Sequence, residues 1–310
     1  MSFDFSAVNA PFRMQPGLRR LAAGAQQLTP NRLGDRALLE KLAVLSNHAD
    51  QALLVADGFD AVPALRALAT HAAAEHPAAF AWNGDMHWQA HQLGWSLRGD
   101  VPVGGGPAEI GACLRALPAA WRAAALLALA FAEDFAVIDG ASGRIPWLAV
   151  CLPSHWAPED KIGRHFAQVH APVADNQLLI TASEHLTRLV TGAERWERFV
   201  WTITRHPTLS QHPLRCSTAP WPADAGVDAL AARAFFRTER QTFIPLPDAA
   251  QAIFTIQVQM QPLAEAIRSP AHAYQLHAAL ASMSPAVLAY RSLTEARDRL
   301  LAWLAARGAP

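Results

Sequence analysis

The chain has 310 residues, 26 basic against 26 acidic side chains, 52% hydrophobic and 17% charged residues. Zero net charge excludes the basic surface that a dedicated nucleic-acid binder needs to displace counterions, and the polybasic patch of a membrane-surface protein. The apolar content excludes a disordered chain, and the three scattered cysteines, Cys113, Cys151 and Cys216, form neither a disulfide framework nor a cysteine zinc motif.

Leu38, Leu39, Leu42 and Leu45 recur at helical spacing, and residues 61–75 are a second Ala/Leu-rich helical stretch, so the first third is predicted to be helical. Gly104-Gly105-Gly106-Pro107 is a breaker cluster and the first segment boundary. Its glycines do not follow a strand in G-x-G-x-x-G order, so it reads as a turn, not a phosphate cradle. The most apolar run, residues 119–131, is interrupted by Arg122 and bounded by Glu133 and Asp134. It is too short for a bilayer and predicts a buried helix. The N-terminal Met1-Ser2-Phe3-Asp4-Phe5-Ser6 lacks the basic and apolar regions of a secretory leader, which predicts a cytoplasmic protein.

Phe135-Ala136-Val137-Ile138 and residues 145–152, joined through Gly140 and Gly143, predict a hairpin. A helix is expected over residues 158–169, opened by Pro158-Glu159-Asp160. Another is expected over residues 176–190, with Asp175 as its cap. Three further strands fall at 199–203, 235–244 and 253–260. The last puts Phe254, Ile256, Val258 and Met260 on one face. The one before it puts Arg237, Glu239 and Gln241 between Phe235 and Phe243, a face that is either solvated or lines a polar site. Leu293, Ala296, Leu300, Trp303 and Leu304 mark a closing amphipathic helix.

The predicted architecture is α+β, with a helical N-terminal third, an antiparallel sheet of about five strands and a helical C-terminus. Its segments are residues 1–103, 104–262 and 263–310, packing as one unit.

Two stretches can carry chemistry. In the first, Ile162, Phe166 and Val169 share a helix face and His170 lies at its edge, whereas His165 points about 140° away from His170, so the two cannot ligate one metal from a single helix. Pro172 places His170 at the helix terminus, where it can reach a buried partner or simply bond a backbone carbonyl. In the second stretch, alternation sends Arg237, Glu239 and Gln241 one way and Arg240 the other. An arginine there can hold a carboxylate, Glu239 can hold an amine, and an ordinary salt-bridged sheet face has the same composition.

Together P-S-H-W-A-P-E-D-K-I-G-R-H-F-A-Q-V-H-A-P-V (residues 153–173), F-R-T-E-R-Q-T-F-I-P-L-P (residues 236–247) and A-I-F-T-I-Q-V (residues 252–258) resemble the haem-dependent oxidative N-demethylase family, in its alpha-subunit-like branch. Pro11-Phe12-Arg13-Met14, Gly17-Leu18-Arg19 and Glu133-Asp134-Phe135 extend the likeness. The resemblance implies a PAS-like domain holding haem b on an axial histidine. It also implies oxygen-dependent demethylation of a small secondary amine with release of formaldehyde, and electrons from flavin and iron-sulfur partner subunits. By matching motif it makes His170 the iron ligand, Lys161, Arg237 and Arg240 candidates for the propionates, and Glu239 the group for substrate ammonium or proton delivery. Two positions depart from the family pattern: Val200 stands where an Asn is usual, and Ala174-Asp175 follows H-A-P-V without a second proline. A haem-binding PAS-like sensor, or a non-catalytic subunit docking electron-transfer partners, is the alternative. A hydrolase built on Ser154-His155 or on a Cys/His pair lacks a G-x-S-x-G elbow or an H-E-x-x-H signature.

Overall fold

A computed structural model describes residues 3, 5–84 and 87–308. Met1, Ser2 and Asp4, on which the leader reading partly rests, lie outside the described residues. The strands are, in chain order, β1 (Arg19–Arg20), β2 (Leu53–Val55), β3 (Phe80–Trp82), β4 (His87–Ala90), β5 (Trp95–Arg98) and β6 (Val101–Gly104). They continue with β7 (Glu133–Asp139), β8 (Arg144–Ala149), β9 (Trp196–Thr204), β10 (Phe235–Leu246) and β11 (Gln251–Pro262).

The main sheet is antiparallel with the order β1-β9-β10-β11-β7-β8-β2. It therefore has seven strands, not the five expected, because β1 and β2 are only two and three residues long and carry no readable alternation. A second antiparallel sheet, β3-β4-β5-β6, corrects the expectation of a wholly helical first third. Its strands are four residues or fewer, so Trp88 with Ala90, and Trp95 with Leu97, are buried in alternation over a span too short to stand out between the flanking helices.

Helices Arg36–Asn47, Val62–Glu75 and Ala119–Ala130 cover one face of the main sheet at its β7–β8 end. There Phe135, Val137, Trp147, Ile244 and Ile253 join Leu38, Leu68 and Leu127 in the largest core. Helices Pro270–Ala281, Pro285–Tyr290 and Arg297–Gly308 cover the same face toward β9, packing Leu276, Leu300, Trp303 and Leu304 on Trp201, Ile203 and Phe236. The closing helix starts at Arg297, four residues after Leu293, whose side chain is nevertheless buried in this core. The opposite face of the sheet is covered by the chain between β8 and β9, and it carries the site.

That covering segment is less regular than its sequence pattern suggests. The helix expected over residues 158–169 is a 3-10 turn, Pro158–Asp160, then a separate short helix, Phe166–His170. Gly163 lies between them at φ +69°, a left-handed conformation that ends a right-handed helix and suits glycine. The helix expected over residues 176–190 is likewise divided into Gln177–Thr181 and Ser183–Val190. Asp175 does not cap it. Its φ is +52° and its carboxylate accepts from the Ser284 hydroxyl at 2.7 Å instead.

Candidate functional site

Strand register decides which side chains meet. Arg237, Glu239 and Gln241 on β10 pair with Met260, Val258 and Ile256 on β11, and with Thr202, Val200 and Arg198 on β9. Directly paired residues point to the same face. The polar row of β10 therefore lies between an apolar row from β11 and a mixed row from β9. Ala136, Leu148 and Phe254 continue the face toward β8, where Trp156, Ile162 and Val169 of the covering segment pack on it.

Within the polar row, Arg237 is 1% exposed. Its Nε donates to Ser154 Oγ at 2.8 Å, and its terminal nitrogens donate to the carbonyls of Leu209 (2.7 Å), Leu152 (3.1 Å) and Pro153 (3.3 Å). A buried guanidinium is tolerable only when its donors are met, and here protein oxygens meet them. Arg237 thus anchors the start of the covering segment to the sheet. Ser154 in turn donates to Glu239 Oε1, and Gln241 Nε2 donates to Glu239 Oε2 at 2.6 Å. Each carboxylate oxygen holds one protein donor and keeps a further lone pair for a ligand.

The covering segment presents His170. Its Nδ1 lies 2.8 Å from the Phe166 carbonyl oxygen. A carbonyl only accepts, so Nδ1 carries the proton and Nε2 keeps its lone pair. Burial, then the charges of Arg198 and Lys161, push the imidazole pKa down to about 4, while the Phe166 contact opposes the shift. His170 is therefore neutral around pH 7. Lys161 stands beside it with Nζ donating to the Val169 carbonyl at 3.0 Å, and burial lowers its pKa.

A cavity of about 260 Å³ opens beside β9, where β1 pairs only with Trp196 and Glu197 and residues 6–19 form the outer wall. Phe12, Met14, Leu179 and Val200 give it apolar walls, and Arg198 and Arg291 give it two cations. Arg198 donates no hydrogen bond and forms no ion pair among the described residues. Burial lowers its pKa, with Glu239 nearby opposing the shift. Arg291 lies over the Phe12 and Trp201 rings, 4.7 and 5.6 Å from their centroids, and its buried Nε has no partner. Burial draws its pKa down to about 10. Its terminal nitrogens donate to the Trp201 carbonyl and to Met14 Sδ at 3.7 Å, so Arg198 is the guanidinium of this cavity whose donors suit a carboxylate.

The tertiary structure thus brings His170, Lys161 and Glu239 to one face, with Arg237 behind Glu239. Arg240 lies on the other face, where Nε donates to Glu197 Oε2 at 3.0 Å and Nη1 to the Gln26 carbonyl at 2.8 Å. His165 serves its own helix. Its Nδ1 accepts from the Ala167 amide at 3.2 Å as the N-cap. Sequence reasoning missed Arg198, Arg291 and Ser154 as members of the site. For Arg198 a signal existed, since strand alternation from Val200 puts it on the same face. Arg291 lies far along the chain in a helix C-cap and carried none.

These features define an α+β protein whose sheet face carries a buried carboxylate and whose covering helix ends in a neutral, lone-pair-bearing histidine, with the cations Lys161 and Arg198 acting on that histidine. The donor set fits haem: a neutral imidazole nitrogen is an iron ligand, and the Arg198 guanidinium and the Lys161 ammonium match propionates. The sequence profile of the haem-dependent oxidative N-demethylase, alpha subunit-like family matches residues 36–301, and the chain belongs to that family.

Proposed function

We propose that this chain binds haem b in a PAS-like domain through His170 Nε2 and takes part in oxidative N-demethylation of a small secondary amine. Formaldehyde would be released, and the electrons would come from flavin and iron-sulfur partner subunits. The observation that carries this reading is the His170 geometry: an Nδ1–H fixed on the Phe166 carbonyl and a pKa near 4 leave Nε2 unprotonated at working pH. When bound, the haem supplies the iron-centred oxygen chemistry that no side chain can perform.

The chain's own residues would bind, orient and exclude water. Arg198, which donates no hydrogen bond among the described residues, and Lys161, which keeps two N–H donors beyond its bond to the Val169 carbonyl, would meet the propionates, whereas the donors of Arg237 are met by protein oxygens and Arg240 lies on the other sheet face. Glu239, flanked by Val200 and Val258, would accept an N–H from a substrate ammonium, and Gln241 and Ser154 would fix its orientation. Ile256, Val258 and Met260 would exclude water from the surrounding face.

Purified protein titrated with hemin should develop a Soret band at one haem per chain, and should release formaldehyde from dimethylamine when a reductase and oxygen are supplied. No Soret band removes the proposal. Tight haem binding without formaldehyde would favour a sensor or a non-catalytic subunit.

A further inference from the structure

Three residues from two loops converge on the flank of this site. His155 follows Ser154 in the loop leaving β8, His206 follows the end of β9, and Cys216 lies in the connection to β10. Their ligating atoms all lie within 4.8 Å of one another. The two imidazole centroids are 5.2 Å apart.

The backbone that presents them is tied together. Gln211 accepts from the His155 amide at 3.0 Å, donates its own amide to Pro153 at 2.9 Å, and reaches the Thr208 carbonyl with Nε2 at 3.1 Å. The Cys216 amide donates to the His212 carbonyl at 2.9 Å, and Arg205 Nη2 donates to the Ser217 carbonyl at 2.8 Å. His155 itself adopts φ +60°, which a residue with a β-carbon holds only when its surroundings impose it. Its ring lies beside that of His206.

Arg205 Nη1 approaches His206 Nε2 at 3.3 Å. A guanidinium only donates, so this nitrogen offers a lone pair to a positive centre.

We propose that His155, His206 and Cys216 bind one zinc ion, with water in the fourth position, clipping the loop after β8 to the connection between β9 and β10. Two imidazoles and a thiolate are a zinc donor set. Metal–ligand lengths of about 2.0–2.3 Å require ligand atoms about 3.3–3.8 Å apart in a tetrahedron, so side-chain rotations of under about one ångström close the site. The ion displaces the thiol proton to solvent, and Arg205 keeps its bond to Ser217 as it gives up His206. Single histidines and a lone cysteine had no sequence spacing of a zinc motif, so the loops alone create this set. The clip adjoins Ser154, which positions Glu239 and Arg237, but the proposal does not depend on haem binding.

The full-length protein, stripped with EDTA, dialysed and titrated with Zn²⁺ or Co²⁺, tests it. One metal per chain is expected, with a thiolate-to-cobalt charge-transfer band in the near ultraviolet and a rise in Tm on adding Zn²⁺. C216S should abolish the band and the Tm rise. H155A and H206A should weaken binding by about 10- to 100-fold or more. Cys216 is half-exposed while Cys113 and Cys151 are buried, so C216S should keep the fold, checked by circular dichroism. Absence of stoichiometric metal, or a band and affinity that survive C216S and H155A, overturns the proposal. The hemin Soret band of C216S, measured alongside, should match wild type. Its loss in C216S or H155A with metal binding intact would instead make these residues part of the haem site and overturn the zinc assignment.

Discussion

Val200 stands directly opposite Glu239 across the β9–β10 pair, and Val258 flanks the same carboxylate from β11. Val200 is therefore the cross-strand neighbour of the one acidic group on the polar row of β10. Side chains so paired are in direct contact range. Glu239 is left with two isopropyl neighbours and with Ser154 and Gln241 as its protein donors.

Val200→Asn places an amide within reach of that carboxylate and of anything bound to it. The expected result is a rise of about tenfold in kcat/KM for dimethylamine, or about 1.4 kcal/mol, the worth of one well-placed hydrogen bond, with the Soret band unchanged. Steady-state formaldehyde release checks it. Unchanged kinetics would mean that substrate does not lie against β9.

The two histidines of the covering helix should separate cleanly. His170→Ala is expected to abolish the Soret band, or shift it grossly, with far-ultraviolet circular dichroism intact. His165→Ala should leave the Soret band and cost about 1 kcal/mol through loss of the N-cap. Hemin titration and denaturant melts of both variants decide, and the reverse pattern would make His165 the ligand.

Glu133 offers a pH prediction away from the site. Burial raises its pKa from 4.5 to about 7, against the amide of Thr29 and the charge of Lys41. Between pH 4.5 and about 7 the folded state therefore binds more protons than the unfolded chain, so this group's contribution to stability falls as pH rises through that window. Glu133→Gln should flatten that fall and gain up to about 3 kcal/mol relative to wild type above pH 7, since one pKa unit is about 1.36 kcal/mol. Urea melts at pH 5 and pH 8 check it. An equal effect of the substitution at both pH values would show that Glu133 does not titrate in the folded protein.

Arg237→Met tests the anchor. It leaves the carbonyls of Leu152, Pro153 and Leu209 and the Ser154 hydroxyl without their donor, and uncovers Glu239. A loss of about 3–5 kcal/mol is expected, the cost of breaking a buried charged network at one partner. A denaturant midpoint within error of wild type would show that the guanidinium is dispensable.

The long strands could be read from the chain. β10 and β11 stand out by long alternation, β7 by the apolar run of residues 135–138 before a Gly-containing turn, and the helix Ala119–Ala130 because its run is too apolar to lie anywhere but inside. The strands β1–β6, two to four residues long, carry no comparable signal. The break at Gly163 was masked because Pro158, Ile162, Phe166 and Val169 keep helical spacing across a turn that is not helical.

By itself the sequence determined which side chains share a face of one element: Arg237 with Glu239 and Gln241, Phe254 with Ile256 and Val258, His170 at the end of an apolar stripe. That follows because residue period is a local property of the backbone. Only the tertiary structure decided that Val200 faces Glu239, that Arg198 and Arg291 share a cavity, and that His155, His206 and Cys216 meet. Register and loop closure depend on contacts between distant segments, and a slip of one residue in β9 would have turned Val200 away and put Phe199 in its place.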